Sequence, residues 1–454
     1  MTLKMTVHIR TPRACLRGGV AMLLVASLTG CMGETGLTDA GNAVSRMAAK
    51  PMAAVKNLTT PDHAAMRTQE AQSDTILSLQ ARRSVLPAGS SYANVADAVL
   101  AANSRAAEAE LRSARLRARA ASKNWLPSIG PNISLTSLGD VVAQLLLEQV
   151  LFDHGRKRAE REFAAHDVEV AAADLSIDTN ARVFSALSLY LDAQTAQARE
   201  HVMFKRQAQL VRFEDIVRQR VEGGVSDLSD LRVMQQKLAE LQSEIKNERE
   251  RQTTALAELN AMSAREVQTV DGATSLTVSR RAQPLAVTRA QARADRDVAQ
   301  AKIDRAGLLP GLTARATVDE NGTTGDIGAG TDGLLSVGMG ANLKALEAKR
   351  EAAQREVSQA DEDANRKLRR FEAQLASLQR QHADAAGLTA PARANFQLFQ
   401  EQFQAGQRTI MDVVNTYEAM MRLEQEQASL PYDIARVQLE MARDLGVLAD
   451  GDDV

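Results

Sequence analysis

The sequence predicts a mostly α protein built from long antiparallel coiled-coil helical hairpins in two internal repeats, each with a β-hairpin. Three observations predict it. The chain repeats itself: Leu126-Pro127 returns as Leu309-Pro310, 183 residues on, and the turn from Gly224 to Asp230 returns from Gly406 to Asp412, 182 residues on. Residues 156–222 contain neither Gly nor Pro, and as one helix they would reach roughly 100 Å at about 1.5 Å per residue. Two segments, near residues 133–137 and 312–318, alternate apolar and polar side chains with the period of a strand.

Composition agrees with thin helical seams rather than a thick core. Aromatics are 3 % of the 454 residues and charged residues 25 %, with a formal net charge of −2. Near-neutral charge gives no reason to expect nucleic acid as a partner. The copies are much longer than the roughly 20–50-residue units of solenoids, so two of them suggest a pseudo-twofold protomer.

The N-terminus reads as an address. Lys4, Arg10, Arg13 and Arg17 precede a short apolar stretch, Gly18 to Leu28, and then Leu28-Thr29-Gly30-Cys31. The stretch is too short to span a bilayer. The pattern looks like a bacterial lipoprotein signal, with cleavage before Cys31 and acylation of its thiol; the alternative is an ordinary secretory signal with an unrelated Cys. Met32 rather than Asp follows Cys31, which leans towards the outer membrane. Cys31 is then the only thiol of the processed chain, which leaves no disulfide framework. The expected organisation is a signal over 1–30, a lipid-anchored flexible tether over 31–90, a first repeat over 91–272, a second over 273–449 and a tail over 450–454.

In the first repeat a helical pattern runs from Asn94 and ends before Leu126-Pro127, because the residue before a proline is biased away from helix. Pro127 to Asp153 holds the first hairpin, although Val141 to Phe152 is ambiguous between strand and helix. In the second repeat Leu312, Ala314, Ala316 and Val318 alternate as one strand. A Gly/Thr/Asp loop is expected from Asn321 to Gly333, then a second strand through Leu335, Val337, Met339 and Ala341. After Gly223-Gly224, Leu231, Met234, Leu238, Leu241 and Ile245 form an a/d seam, echoed by Ile410, Val413, Tyr417 and Met420. Gly387 and Pro391 should break the descending helix of the second copy, and Pro431 should kink the returning one.

Little here carries chemistry. The six His residues lack metal-ligand spacing, and no phosphate loop, nucleophile elbow or Cys/His pair appears. No enzyme activity, cofactor or metal is expected. The polar groups at the Gly turns are the candidate site. Arg408 and Asp412 are four residues apart and would meet on one helix face; a ring of Asp412 carboxylates repeated by symmetry would favour cations.

These motifs resemble a known family. Gly406-Gln407-Arg408-Thr409-Ile410-Met411-Asp412-Val413 resembles the second-repeat turn of the TolC family of outer-membrane channels, Gly-x-Arg-Thr-hydrophobic-x-Asp-Val. Leu151-Phe152-Asp153-His154-Gly155-Arg156 resembles the family's strand-to-helix junction, and the two Leu-Pro sites its helix-to-strand entries. The resemblance covers roughly residues 91–449 and implies a homotrimer sharing one outer-membrane β-barrel and a periplasmic helical tunnel. It implies a passive export duct of a tripartite efflux or type I secretion system. Its partners would be a periplasmic adaptor (a membrane fusion protein), an inner-membrane pump or ABC exporter, and outer-membrane lipid. Asp412 and Asn415 fall where the family's gate carries acidic rings, and Arg408 and Asp230 where gate-closing polar links are made. Gly223, Gly224 and Gly406 mark the turns that would meet the adaptor. Asn415 stands where a second Asp is common, and Phe403 where some members carry a Tyr. Asn342-Leu343-Lys344-Ala345 lacks the junction motif, and the compact first hairpin suggests a reduced barrel. The competing reading is a periplasmic coiled-coil lipoprotein, an adaptor or spacer without a pore; strand pairing in 127–152 and 310–343 discriminates the two.

Overall fold

The computed structural model describes residues 73–102, 106–135, 141–267, 274, 276–319, 322–331 and 338–451. The expected signal, Cys31 and most of the tether lie outside the described residues. In chain order the elements are α1 (Asp74–Gln80), α2 (Ser91–Leu100), α3 (Ala106–Ala121), β1 (Ser128–Leu135), β2 (Val141–Phe152), α4 (Arg156–Glu222), α5 (Leu228–Ala261), α6 (Leu285–Gly307), β3 (Gly311–Asp319), β4 (Gly322–Gly330), α7 (Met339–Gln404) and α8 (Ile410–Asp444). The duplication is visible in the lengths: α4 has 67 residues and α7 has 66, α5 has 34 and α8 has 35.

Near the sheet, α3, α4, α6 and α7 lie side by side in that order. Towards the Gly turns the order becomes α5, α4, α8, α7. The sheet is antiparallel in the order β1-β2-β3-β4. Among the described residues two large apolar cores and two smaller ones hold the helices. In one large core, Tyr92, Val95 and Val99 of α2 meet Leu187, Tyr190 and Leu191 of α4 and Leu439 of α8, with the Tyr92 and Tyr190 rings edge-on at 5.9 Å. In the other large core, Leu210, Phe213 and Val217 meet Met234, Leu241, Phe396, Phe403 and Val413. Each such side chain contributes about 1.5–3 kcal/mol on burial. The expected seams are there: Leu231, Met234, Leu241 and Ile245 are buried with Leu238 at their edge, and Ile410, Val413, Tyr417 and Met420 are all buried.

The junction into α4 explains its motif. The N-cap is Gly155, which has no side chain; Asp153, two residues earlier, supplies the acceptor instead, its carboxylate accepting from the N–H groups of Gly155 (3.0 Å) and Lys157 (2.6 Å). Gly155 takes φ +85°, a left-handed conformation that glycine adopts without a steric penalty. The strand can therefore turn sharply into the helix.

Four expectations need correction. The helix expected from Asn94 begins at Ser91, because the Ser90 hydroxyl accepts from the Ala93 N–H at 3.2 Å and caps it. Residues 73–90 are packed rather than tether-like: Ile76 and Leu79 sit against Val168, Ala172 and Leu175, and Val85 N–H donates to the Val447 carbonyl at 2.8 Å. The second strand of the second hairpin is β4, within the segment expected as a loop, and Met339 and Ala341 lie in the first turn of α7; residues 332–337 lie outside the described residues. Glycine and threonine are poor evidence for a strand, but β4 pairs with β3 from Asp319↔Gly322 to Gly311↔Gly330, and a full ladder outweighs local preference. Finally, α7 runs unbroken through Gly387 and Pro391, where a break is expected; α8 is continuous through Pro431, which is compatible with the expected kink. The proline ring crowds the carbonyl four residues back. For Pro391 that residue is Gly387, which is exposed and has no side chain.

The chain's two described ends clasp each other. The buried Arg82 guanidinium donates to the carbonyls of Leu445 (2.5 Å) and Gln283 (3.0 Å) and to the Thr288 hydroxyl (3.3 Å); burial pushes its pKa down to about 10. In the expected tail, Asp450 accepts from the Ser84 N–H at 2.9 Å. Gly446 lies inside this clasp at φ +66°, and a Cβ there would come 2.6 Å from Leu285. Gly446→Ala is expected to cost about 2 kcal/mol or more, through left-handed strain and overpacking. Gly223→Ala, at φ −80° and with its nearest contact at 3.4 Å, should cost well under half of that, as read from urea unfolding midpoints.

Candidate functional site

The two faces of the sheet differ in polarity along their register rows, although Leu146 and Val150 of β2 share the face of Glu148. One register row runs Ile129, Leu147, Ala316, Gly325, and beside it Leu145 pairs with Val318. The opposite face carries the row Ser128, Glu148, Arg315, Asp326, with Arg315 Nε 3.1 Å from Glu148. Ile129, Leu145, Leu151, Phe152, Leu312 and Ile327 are all large, apolar and exposed. An apolar sheet face of this extent is costly in water and suits lipid. The strands have 8, 12, 9 and 9 residues, against the roughly 9–11 that cross a bilayer when tilted. Neither β1 nor β4 has a second strand partner among the described residues. No described helix is long and apolar enough to cross a membrane.

At the far end of the hairpins lie the two Gly turns. Gly224 and Gly406 both take positive φ, +67° and +72°. They reverse the chain while Val225 N–H bonds to Arg220 O and Gln407 N–H to Gln402 O, each at 2.8 Å. Val225, Leu228 and Met411 are exposed there.

Asp412 is the third residue of α8 and half of a capping box. Its carboxylate accepts from the Thr409 N–H (3.1 Å), and its own N–H donates to the Thr409 hydroxyl (3.3 Å). The Thr409 N–H and then the Thr409 hydroxyl hold its carboxyl below the usual carboxylate range, with Arg408 adding its charge. Asn415 is exposed one turn along the same helix. Asp230 occupies the matching third position of α5, its N–H on Asp227 O at 3.0 Å. The Arg408–Asp412 pair expected on one helix face does not form. Arg408 precedes the cap and is not helical, so four-residue spacing does not align it. Its guanidinium turns back onto the Phe399 ring, 4.5 Å from the centroid, and donates to Gln402 at 3.0 Å.

Two arginine clusters are not legible in the sequence because each includes a partner far along the chain, 184 residues away for Arg220 and 218 for Glu424. Arg220 ties the two turns together: it donates to Gln404 O at 2.6 Å and Ser226 Oγ at 3.2 Å, and lies over the Phe403 ring. Phe403 is buried edge-on to Phe213 at 5.5 Å. Farther up, the buried Glu424 carboxylate binds both Arg206 and Arg393. Burial pushes its pKa up, but the bonds from Arg206 and Arg393 outweigh this and hold it low.

Comparison with known proteins places this architecture. Among solved structures, the outer membrane protein VceC of Vibrio cholerae superposes with a TM-score of 0.67 at 16 % identity, over 78 % of this chain and 96 % of that one. The CmeC outer membrane channel of Campylobacter jejuni gives 0.63 at 12 %, over 79 % and 86 %. The open-state MtrE outer membrane channel of Neisseria gonorrhoeae gives 0.62 at 14 %, over 80 % and 90 %. No family model and no curated relative matches the sequence. The chain therefore has the fold of the outer-membrane channels, as the motifs implied.

Glu424→Gln should destabilise the protein by about 3 kcal/mol at neutral pH, because Arg206 is left buried without its counter-charge. A carboxyl with a depressed folded pKa contributes stability above its unfolded value, near 4.3, and loses it as pH falls through the folded value. The gap between parent and variant should thus shrink below about pH 4, as measured by denaturant unfolding across pH. Arg220→Ala should cost about 1–2 kcal/mol and speed amide exchange at Gln407 and neighbouring turn residues.

Proposed function

We infer that this chain is the outer-membrane channel component of an export assembly. The observation that carries this reading is an open sheet, apolar on one face and carrying the charged row on the other, joined to helical hairpins that run far from the membrane. In this reading three copies join their sheets into one barrel, apolar faces to lipid and the Glu148–Arg315 row to the lumen. The helices continue the tunnel through the periplasm. The chain is a passive duct, coupled through an adaptor to an inner-membrane drug-efflux pump or to an ABC exporter for type I secretion. The continuous pairing of β1 to β4 favours this over a pore-less spacer.

The turns at Gly223-Gly224 and Gly406 are the adaptor-facing end. Asp412 and Asn415 line the constriction there, and Arg408 and Asp230 make its closing polar links. Cys31 carries the lipid, which with more than one acyl chain holds a protein stably on a membrane.

Conductance in planar bilayers tests the channel and the gate together. The parent should form discrete channels, and Asp412→Ala should conduct more. Asp412→Asn keeps an oxygen for the Thr409 cap and so separates charge from capping. Equal conductance of parent and both variants would remove Asp412 from the gate, and absence of channels would remove the duct. For the anchor, intact mass of the processed protein should fall by the acyl groups in Cys31→Ser, while an unchanged mass refutes lipidation.

A further inference from the structure

The first described helix, α1, is fastened to the body of the protein by one apolar contact and one polar chain. Ile76 and Leu79 are buried with Leu111 and Ala114 of α3, Val168, Ala172 and Leu175 of α4, and Leu285 of α6. Seven residues form α1. A helix so short does not hold itself in water, so docking decides whether it is a helix at all. Its far end runs into the Arg82 clasp, where the Arg82 N–H bonds to Leu79 O at 3.2 Å. Its near end is held by three side chains in series. The Ser73 hydroxyl accepts from the Ile76 N–H at 3.4 Å and donates to Glu169 Oε1 at 2.6 Å. The other carboxylate oxygen of Glu169 takes His166 Nδ1 at 3.0 Å.

Glu169 is the exacting member of the series. Its side chain is 13 % exposed and that of His166 31 %, and Ser73 sits on the carboxylate. A carboxylate covered in this way is tolerated when a counter-charge lies beside it and costs stability when none does. Near neutral pH, His166 is the group that can supply or withhold that charge. The charged groups that face it are acidic: Glu162 and Glu169 on α4, and Asp295 from α6. Glu162 is shared with Arg158 and Lys302. Asp167, next to His166 in the chain, is taken by Arg117 of α3 and Arg296 of α6. From α1, Asp74 stands in the first turn. The bond to Glu169 raises the imidazole pKa, burial works against it, and the charges of Glu169, Asp295 and Glu162 add to the rise. Burial pushes Glu169 up, but the bonds from His166 and Ser73 outweigh it and hold that carboxyl low.

We propose that Ser73, Glu169 and His166 form a pH-sensitive latch, which holds α1 on α4 while the imidazole is charged and loosens it when the imidazole is neutral. A neutral imidazole can still donate from Nδ1 to Glu169, so the bond survives but the counter-charge goes. Glu169 is then a lone carboxylate under Ser73, and lifting α1 lets water reach it. A basic group with a raised folded pKa contributes fully below its unfolded value, near 6.5, and its contribution is lost as pH rises through the folded value. The latch is therefore closed in mild acid and weakened above neutrality. Release starts at Ser73, on the side from which the chain arrives from Cys31, while the Arg82 clasp keeps the other end. The latch thus sets how firmly the N-terminal segment is held to the helical wall.

Hydrogen exchange of the full chain in detergent, followed by mass spectrometry between about pH 5.5 and 8.5, tests this. After correction for the intrinsic pH dependence of exchange, protection of the amides of Ile76 to Leu79 should fall about five-fold across that range. Protection of Val437 to Met441 in α8 should stay constant. His166→Gln should show the lower protection at every pH, and His166→Arg, charged throughout, the higher one. Glu169→Gln should remove the pH dependence as well. Protection in the parent that does not change with pH, or a change that persists in His166→Gln, overturns the latch. Should His166→Gln fail to fold, the arginine variant decides: if it keeps the parent's pH dependence, the latch is likewise overturned.

Discussion

Everything in this molecule is hung from α4. It leaves the sheet at Asp153, ends at the Gly223-Gly224 turn, and buries 23 of its 67 residues. On the way it packs against α1, α2 and α3, then α6, then α5 and α8. Its counterpart α7 has 66 residues but buries only seven. A helix this long gains little from propensity alone and is held straight by neighbours along its length. Remove those contacts and the two repeats lose their common wall.

The end of the molecule near residues 82 and 446 resists disassembly in a different way. Arg82, Asn180 and Gly446 bind the first described residues, the middle of α4 and the end of α8 into one knot; Asn180 Oδ1 accepts from Leu448 N–H at 2.8 Å. That knot lies between the sheet and the turns, so it fixes one against the other. The Glu424 triad does the same lower down, at the cost of burying charge, and its geometry commits α4, α7 and α8 to one relative position.

The duplication did not preserve equal roles. The first copy keeps the capped Asp153 junction and supplies the buried spine, while the second keeps the complete capping box at Asp412. Its β4 is rich in Gly and Thr, and its helix α7 is one edge of the helical layer near the sheet. Composition follows position in the fold: the inner helix α4 buries 23 residues, many of them alanine, whereas the edge helix α7 buries seven.

What the sequence determined by itself was whatever depends on neighbours along the chain. The Gly- and Pro-free runs, the a/d seams at Leu231–Ile245 and Ile410–Met420, the period-2 strand at Leu312–Val318 and the turn glycines are local consequences of side-chain spacing and backbone freedom. The tertiary structure decided what depends on distant partners. A glycine-rich segment became β4 because β3 offered a ladder. Pro391 stayed inside α7 because Gly387 faced water, and Arg408 left Asp412 because it stands outside the helix. Arg220 and Glu424 found partners 184 and 218 residues away. Those outcomes follow from hydrogen-bond satisfaction and burial across the fold, quantities that no window of sequence contains.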